Sequence, residues 1–190
     1  MADVFQTIGK KWVLEQHPKE IHSFAWYLRE HYVGGPVIEL GVRHGGTSAL
    51  WHQLIPEARV VIGVDRIGAD SYQEPEFSDR AREMEAEFPR FRFVAGDTGD
   101  PKTVEVVRAL LADDPAGFLF IDADHAYESV KRDYEWYRPL VRPGGMIAFH
   151  DIVDSPKTGG GVTKFWREIG GTVEFKIKDG DWGGIGAVRV

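Results

Sequence analysis

Val37-Ile38-Glu39-Leu40-Gly41-Val42-Arg43-His44-Gly45-Gly46-Thr47-Ser48 is the stretch from which the rest of the chain can be laid out. A short apolar run ends in an acid and a glycine turn, and Thr47 to Leu54 then has the character of a helix. In an α/β protein such a turn lies at the carboxyl end of a strand, where ligands bind and glycine lets backbone come close to them. Pro36 to Gly41 therefore reads as a buried strand, and Arg59 to Asp65 as a second one, again apolar and again ending in an acid. Two strands separated by a helix of this size make a βαβ unit, which requires parallel strands and a right-handed crossover.

The unit repeats downstream. Residues 73 to 88 are strongly charged, yet Ala81, Met84 and Phe88 fall on one side, which suits a surface helix with a narrow core face. Phe91 to Ala95 is the third strand. Asp100-Pro101 is a helix start, Asp as cap and Pro in the first turn, with Val104, Val107 and Leu111 as its buried face. Gly117 to Asp122 is the fourth strand, and Tyr127, Val130, Tyr134 and Tyr137 mark one side of a helix that ends near Pro139. Pro143-Gly144-Gly145 is expected to turn the chain into a fifth strand, Met146 to His150. A Gly159-Gly160-Gly161 loop then leads to a short helix through Phe165, Trp166 and Ile169. Thr172 to Lys178 and Gly184 to Val190 look like paired strands joined at Asp179-Gly180, so at least one strand here runs antiparallel.

Upstream of the turn, Ile21, Phe24, Ala25, Leu28 and Tyr32 line one face of a helix starting after Pro18, and an earlier helix is expected over about residues 3 to 16. Trp12, Trp26 and Tyr27 add aromatic area that either packs across the sheet or serves a lid or a subunit contact. The expected organisation is a single domain over residues 1–190, a helical segment 1–33 followed by an α/β core 34–190. Its length of 190 residues, with 43% hydrophobic content, is enough for one sizeable core.

Composition narrows the function classes. There is no cysteine, so neither disulfides nor thiolate metal sites are available, and any metal would need His, Asp or Glu ligands. No apolar stretch reaches the roughly 18 residues of a membrane span and no signal-peptide pattern opens the chain, so a cytoplasmic protein without membrane association is expected. A net charge of −7 gives no long-range attraction for nucleic acid, which makes a small molecule the expected partner.

Glu39, Asp65, Asp97 and Asp122 fall at or just beyond the ends of successive strands, with Asp151 after the fifth. In a parallel sheet those ends share one edge. Like charges crowded together cost stability unless a ligand or metal uses them, so that edge is the functional face.

Glu39-Leu40-Gly41-Val42-Arg43-His44-Gly45 resembles the first motif of class I S-adenosylmethionine-dependent methyltransferases, and Asp65 and Asp97 fall where that family places its next two acids. The resemblance covers nearly the whole chain. It implies a three-layer Rossmann-like α/β fold with a seven-stranded, mostly parallel sheet and an antiparallel strand in a C-terminal hairpin. It further implies that Gly41 and Gly45 let the cofactor approach, that Glu39 supports its methionine part, that Asp65 binds the ribose, and that Asp97 and Thr98 lie near the adenine. An acid at the second strand end is also how dinucleotide folds hold a ribose. A nicotinamide site, however, wants Gly-x-Gly-x-x-Gly, and after Gly41 the next glycine is Gly45.

Phe120-Ile121-Asp122-Ala123-Asp124-His125 and Phe149-His150-Asp151 are similar to segments of the metal-dependent O-methyltransferase subgroup acting on catechols and antibiotic sugars. That likeness implies Asp122, His150 and Asp151 as ligands of a divalent ion, Asp122 also bordering the cofactor, and His125 as catalytic base. Related enzymes carry a carboxylate or amide oxygen at the position of His150. Magnesium prefers oxygen and imidazole suits transition metals better, so either Mg²⁺ or a transition metal fits the set. Asp124 is a candidate helix cap, and His44 is expected to face solvent. The implied reaction is methyl transfer to a hydroxyl of a small molecule. The alternatives are a non-catalytic methyltransferase-like binding module and a nicotinamide-dependent oxidoreductase. A homo-oligomer built through the N-terminal helices is compatible with the same reading.

Overall fold

Strands covered on both faces are near-continuous apolar runs, and the central strands show it, with buried Glu39 of the first as the exception. In the computed structural model β1 (Val37–Leu40) and β4 (Ala116–Ile121) are buried throughout, and β2 (Val61–Asp65) is buried up to its terminal acid. The structure describes residues 5, 8, 11–66, 76–156, 159–171, 173–177 and 182–190. The other strands are β3 (Phe91–Ala95), β5 (Val141–His150), β6 (Val173–Phe175) and β7 (Ile185–Arg189). The helices are α1 (Pro18–His31), α2 (Gly46–Leu54), α3 (Glu76–Glu87), α4 (Pro101–Leu111), α5 (Tyr127–Tyr137), continued by a 3₁₀ turn at Arg138–Leu140, and α6 (Gly161–Glu168).

The seven strands form one sheet in the order β3-β2-β1-β4-β5-β7-β6. Strands β1 to β5 are parallel, and β7 runs antiparallel to both β5 and β6. The carboxyl ends of five strands therefore share one edge. Strand order reverses between β1 and β4, which makes their ends the topological switch point where α/β sheets bind ligands. Gly41 and Asp122 follow those two ends.

Helices cover both faces. On one, Phe24 of α1 and Trp51 of α2 meet Phe118 and Phe120 of β4, with Trp51 and Phe118 edge to face at 5.2 Å. On the other, Tyr134, Phe149, Phe165 and Trp166 cluster between α5, β5 and α6. Burying one such ring contributes about 1.5–3 kcal/mol, so either layer outweighs a local misfit. Helix α4 begins as its sequence demands: Asp100 accepts from the Lys102 amide at 2.9 Å, with Pro101 in the first turn. Helix α1 carries a buried acid, Glu20, that accepts from the backbone N–H groups of Ile177 (3.1 Å) and Gly184 (2.9 Å) and so fastens the β6–β7 connection to the helix.

Two expectations are corrected. The fifth strand starts at Val141, not Met146, and Pro143-Gly144-Gly145 forms an irregularity inside it between the pairs Ala116↔Val141 and Phe118↔Met146. Proline offers no N–H and Gly144 sits at φ 78°, so the register must shift there; the Gly144 N–H and the Gly145 carbonyl bond to Val190 instead of to β4. The early helix does not reach residue 16: Phe5, Ile8 and Lys11 are helical, but Val13 to Gln16 are not. Most of the remainder of that helix, the Asp179-Gly180 turn and part of the Asp154 to Gly161 loop lie outside the described residues. Trp12 is buried and Tyr27 half-buried against Phe175, whereas Trp26 is exposed.

Candidate active site

The glycine turn is shaped first by the protein itself. Gly41 adopts φ 91°, and a Cβ there would overlap the carbonyl of Asp122 across the switch point. Gly45 adopts φ 78° as the cap of α2, and a Cβ would run into the Met84 sulfur. Both positions therefore demand glycine before any ligand is considered. The turn's amides are used internally: Gly41 donates to the Val64 carbonyl (2.9 Å) and Gly45 to that of Val42 (2.8 Å). Val42 and Arg43 both donate to Oδ2 of Asp65 at 2.8 Å, while Oδ1 accepts from the Arg66 amide at 2.7 Å. Asp65 thus braces the turn against β2.

Glu39 faces α2 from beneath the turn and is fully buried. Burial pushes its carboxyl up to about 8, against the hydrogen bond of Ser48. Ser48 donates to Oε2, and Oε1 is buried with no partner among the described residues. Asp97 is exposed, accepts from the Gly99 amide at 2.7 Å, and lies 3.7 Å from the Arg66 guanidinium. Thr98 turns the other way: its hydroxyl donates to buried Asp133 at 3.0 Å, and its carbonyl accepts from Tyr137. Burial raises Asp133 to about 6.

At the ends of β4 and β5 the structure gathers two carboxylates and two imidazoles. Nδ1 of His150 lies 3.2 Å from both Asp122 Oδ1 and Asp151 Oδ2. Nε2 of His125 lies 3.0 Å from Asp151 Oδ2 and 3.9 Å from Asp122 Oδ1, so Asp151 is its direct acceptor. Asp151 holds φ 60°, a conformation that costs a non-glycine residue of order 1 kcal/mol and concentrates at functional sites. The carboxylates of Asp122 and Asp151 beside it raise His125 to about 9. Burial opposes charge on His150, but the two acids outweigh it and raise the imidazole to about 10. Burial also works against ionisation of Asp122 and Asp151, yet the two histidines hold both below the ordinary carboxylate value. Asp122, His125 and Asp151 each offer one ligand atom, and these lie within 4.8 Å of one another.

Asp124 caps α5 from outside, a correction to its expected place. The cap position is Ala126, whose N–H donates to Asp124 Oδ1 at 3.2 Å, while Ser129 donates to Oδ2 at 2.6 Å. His44 is only partly exposed, close to Arg80 and to Glu15. One site residue escaped the sequence reading: Gln16, buried, donates from Nε2 to Asp122 Oδ2 at 2.8 Å. No motif marks it, because its partner lies 106 residues away.

Residues 38–152, from β1 through the second carboxylate of this cluster, match a family described as a methyltransferase domain. The chain belongs to that family. A curated relative, an uncharacterised protein of Sinorhizobium fredii, is 32% identical over 59 residues, spanning 31% of this chain and 6% of its own length. Among solved structures, the methyltransferase domain is similar to the O-methyltransferase from Bacillus cereus in complex with SAH (TM-score 0.63, 18% identity, 100% of this chain and 90% of that one). It is also similar to the O-methyltransferase TomG from Streptomyces achromogenes in complex with SAM (TM-score 0.66, 15% identity, 98% and 89%). A third likeness is to the MycE methyltransferase in complex with Mg, SAH and mycinamycin VI (TM-score 0.65, 14% identity, 96% and 53%). The chain spans a third to about half of the MycE chains it matches. At these identities the likeness is one of fold: a seven-stranded Rossmann-like methyltransferase architecture.

Proposed function

We propose that this methyltransferase domain uses S-adenosylmethionine to methylate a hydroxyl of a small molecule, assisted by a divalent cation. The observation that carries the reading is the convergence of Asp122, His125 and Asp151 at the switch-point edge that also holds the glycine turn. The SAM, SAH and Mg bound by the structural neighbours support the same cofactors here.

The residues fit both groups. Asp65 has lone pairs on Oδ1 beyond the one used by Arg66, enough to accept from ribose hydroxyls. Glu39 Oε1, buried and unpartnered among the described residues, suits the ammonium of the methionine part. Asp97 is exposed at the next strand end, where the adenine would lie; Thr98 would contribute backbone there, its hydroxyl being committed to Asp133. Asp122 and Asp151 are the hard oxygen donors that would hold a divalent ion, and His150 is set against both. When bound, the cofactor supplies an electrophilic methyl group and the cation acidifies the acceptor hydroxyl and fixes it in line.

His125 Nε2 is the atom placed to take the hydroxyl proton. In the described arrangement the two acids keep that imidazole charged, so its service as base requires their charge to be shared with a cation. Asp151 then receives the N–H of the protonated ring and holds its orientation.

A nicotinamide-dependent oxidoreductase is disfavoured on geometry. A dinucleotide fold presents free amides of the glycine turn to a pyrophosphate, and here those of Val42 and Arg43 are taken by the Asp65 carboxylate. The test is methyl transfer from labelled S-adenosylmethionine to a panel of sugar, phenol and polyketide hydroxyls. The expected result is transfer that drops about 10²- to 10⁴-fold in His125→Ala at neutral pH. Activity unchanged in that variant defeats the base assignment, and labelling by none of the panel favours a binding module.

A further inference from the structure

Gln16 has no task in the reaction as outlined, and its surroundings point to one. It lies in the non-helical stretch between the early helix and α1, which crosses the glycine turn. The Val13 carbonyl lies against Gly46, and Glu15 pairs with Arg43 at 2.7 Å. Its side chain is 7% exposed and aimed into the carboxylate cluster, Nε2 donating to Asp122 Oδ2. Oε1 is buried with no hydrogen-bond partner among the described residues.

That orphaned oxygen is the informative atom. A buried carbonyl without a partner costs about 1–3 kcal/mol, and ordering a glutamine side chain costs more. A residue serving only to tie the segment down would be cheaper as methionine, which has similar length and no polar atom to leave unpaired. The cluster in turn lacks oxygen donors. It offers two carboxylates, from Asp122 and Asp151, but the residue preceding Asp151 is an imidazole, while a hard divalent cation prefers oxygen.

We propose that Gln16 belongs to the cation site, its carboxamide oxygen being the donor that His150 does not supply. The inference rests on the cation reading above. Turning the amide half a revolution exchanges Nε2 and Oε1 with little change of shape. Facing a bare carboxylate, the NH₂ end is favoured; facing a cation shared with that carboxylate, the oxygen end is. Occupancy of the site therefore sets the orientation of the amide, and because the same segment already lies across the glycine turn, this couples the cation to the wall of the cofactor pocket.

The test is titration of the full chain with Mn²⁺, followed by the electron paramagnetic resonance signal of the free ion, in four proteins: unsubstituted, Asp122→Ala, Gln16→Met and Gln16→Glu. The unsubstituted protein should bind, and Asp122→Ala should not. Gln16→Met should weaken binding about 10–100-fold, the loss typical when a group supporting a metal site is removed. Gln16→Glu should bind at least as tightly as the unsubstituted protein, because it adds a carboxylate oxygen. A merely structural glutamine gives a different pattern, with both variants melting earlier and binding Mn²⁺ alike. Binding by Gln16→Met equal to that of the unsubstituted protein overturns the proposal, as does Gln16→Glu binding no tighter than Gln16→Met. Either comparison with the unsubstituted protein stands alone if the other variant fails to fold. Absence of Mn²⁺ binding by the unsubstituted protein removes the cation reading itself, and this inference with it.

Discussion

Replacing Asp65 with alanine should cost the protein its cofactor turn and a measurable part of its stability. The side chain accepts three backbone N–H groups, and the two from Val42 and Arg43, at 2.8 Å each, join β2 to the turn across more than twenty residues of chain. Hydrogen bonds to a charged acceptor contribute about 1.5–3 kcal/mol each, and Arg43 is exposed, so the lower figure applies to its share. The local bond from Arg66 is readily replaced by water. The expected loss is about 3–4.5 kcal/mol. With a urea slope of about 2 kcal/mol per molar, the unfolding midpoint should fall by about 1.5–2 M in Asp65→Ala. In Asp65→Asn it should fall by about half as much, since one acceptor oxygen remains. Binding of S-adenosylhomocysteine, followed by calorimetry, should be lost in the first variant and weakened in the second. A midpoint for Asp65→Ala within about 0.3 M of the unsubstituted protein would show that the turn does not depend on this carboxylate, and the bracing argument would fail.

Other positions give equally definite expectations. Gly41→Ala combines φ 91° with overlap on the Asp122 carbonyl, so it should either fail to fold or lose several times RT of stability by urea unfolding, and retention of full stability would contradict the packing described at the switch point. Glu20→Ala removes the acceptor of the Ile177 and Gly184 amides and should destabilise by about 2 kcal/mol, with faster hydrogen exchange at those two amides as the specific sign. Asp133 has its folded-state value raised from 3.8 to about 6, so the stability tied to its neutral form is fully present below about pH 4 and is lost as pH rises through 6. That loss amounts to about 3 kcal/mol. Asp133→Asn should keep the Thr98 hydrogen bond, remove this pH dependence and raise stability at pH 7.5; a variant whose stability falls in parallel with the unsubstituted protein between pH 4 and 7 would refute it.

How far these features could be read in the sequence depended on how local their causes are. Strands β1, β2 and β4 were legible because burial on both faces leaves nearly continuous apolar runs with an acid at or near the end, and Asp100-Pro101 announced α4 within its own first turn. The Pro143-Gly144-Gly145 segment has the composition of a turn, and only its bonding to Val190 at the chain's far end keeps it within β5. Asp133 and Glu20 were legible in principle. Asp133 falls between Val130 and Tyr137 on the buried face of α5, and Glu20 aligns with Phe24 and Leu28 on that of α1, so helical spacing marks each as a buried acid. The bracing role of Asp65 and the approach of Gln16 to Asp122 were not legible, because each depends on where a distant segment comes to rest. At the candidate site, spacing pointed to Asp122, His125, His150 and Asp151, while their pairing, with one imidazole against both carboxylates and the other nearest Asp151, is a property of the folded β4 and β5 ends.

Binding of S-adenosylmethionine at the switch-point edge is tested by calorimetric titration of the full chain with S-adenosylhomocysteine and, separately, with NAD⁺. Saturable one-to-one binding of S-adenosylhomocysteine, abolished by Asp65→Ala, is expected, with no heat from NAD⁺. Saturable binding of NAD⁺, with none of S-adenosylhomocysteine, would contradict it.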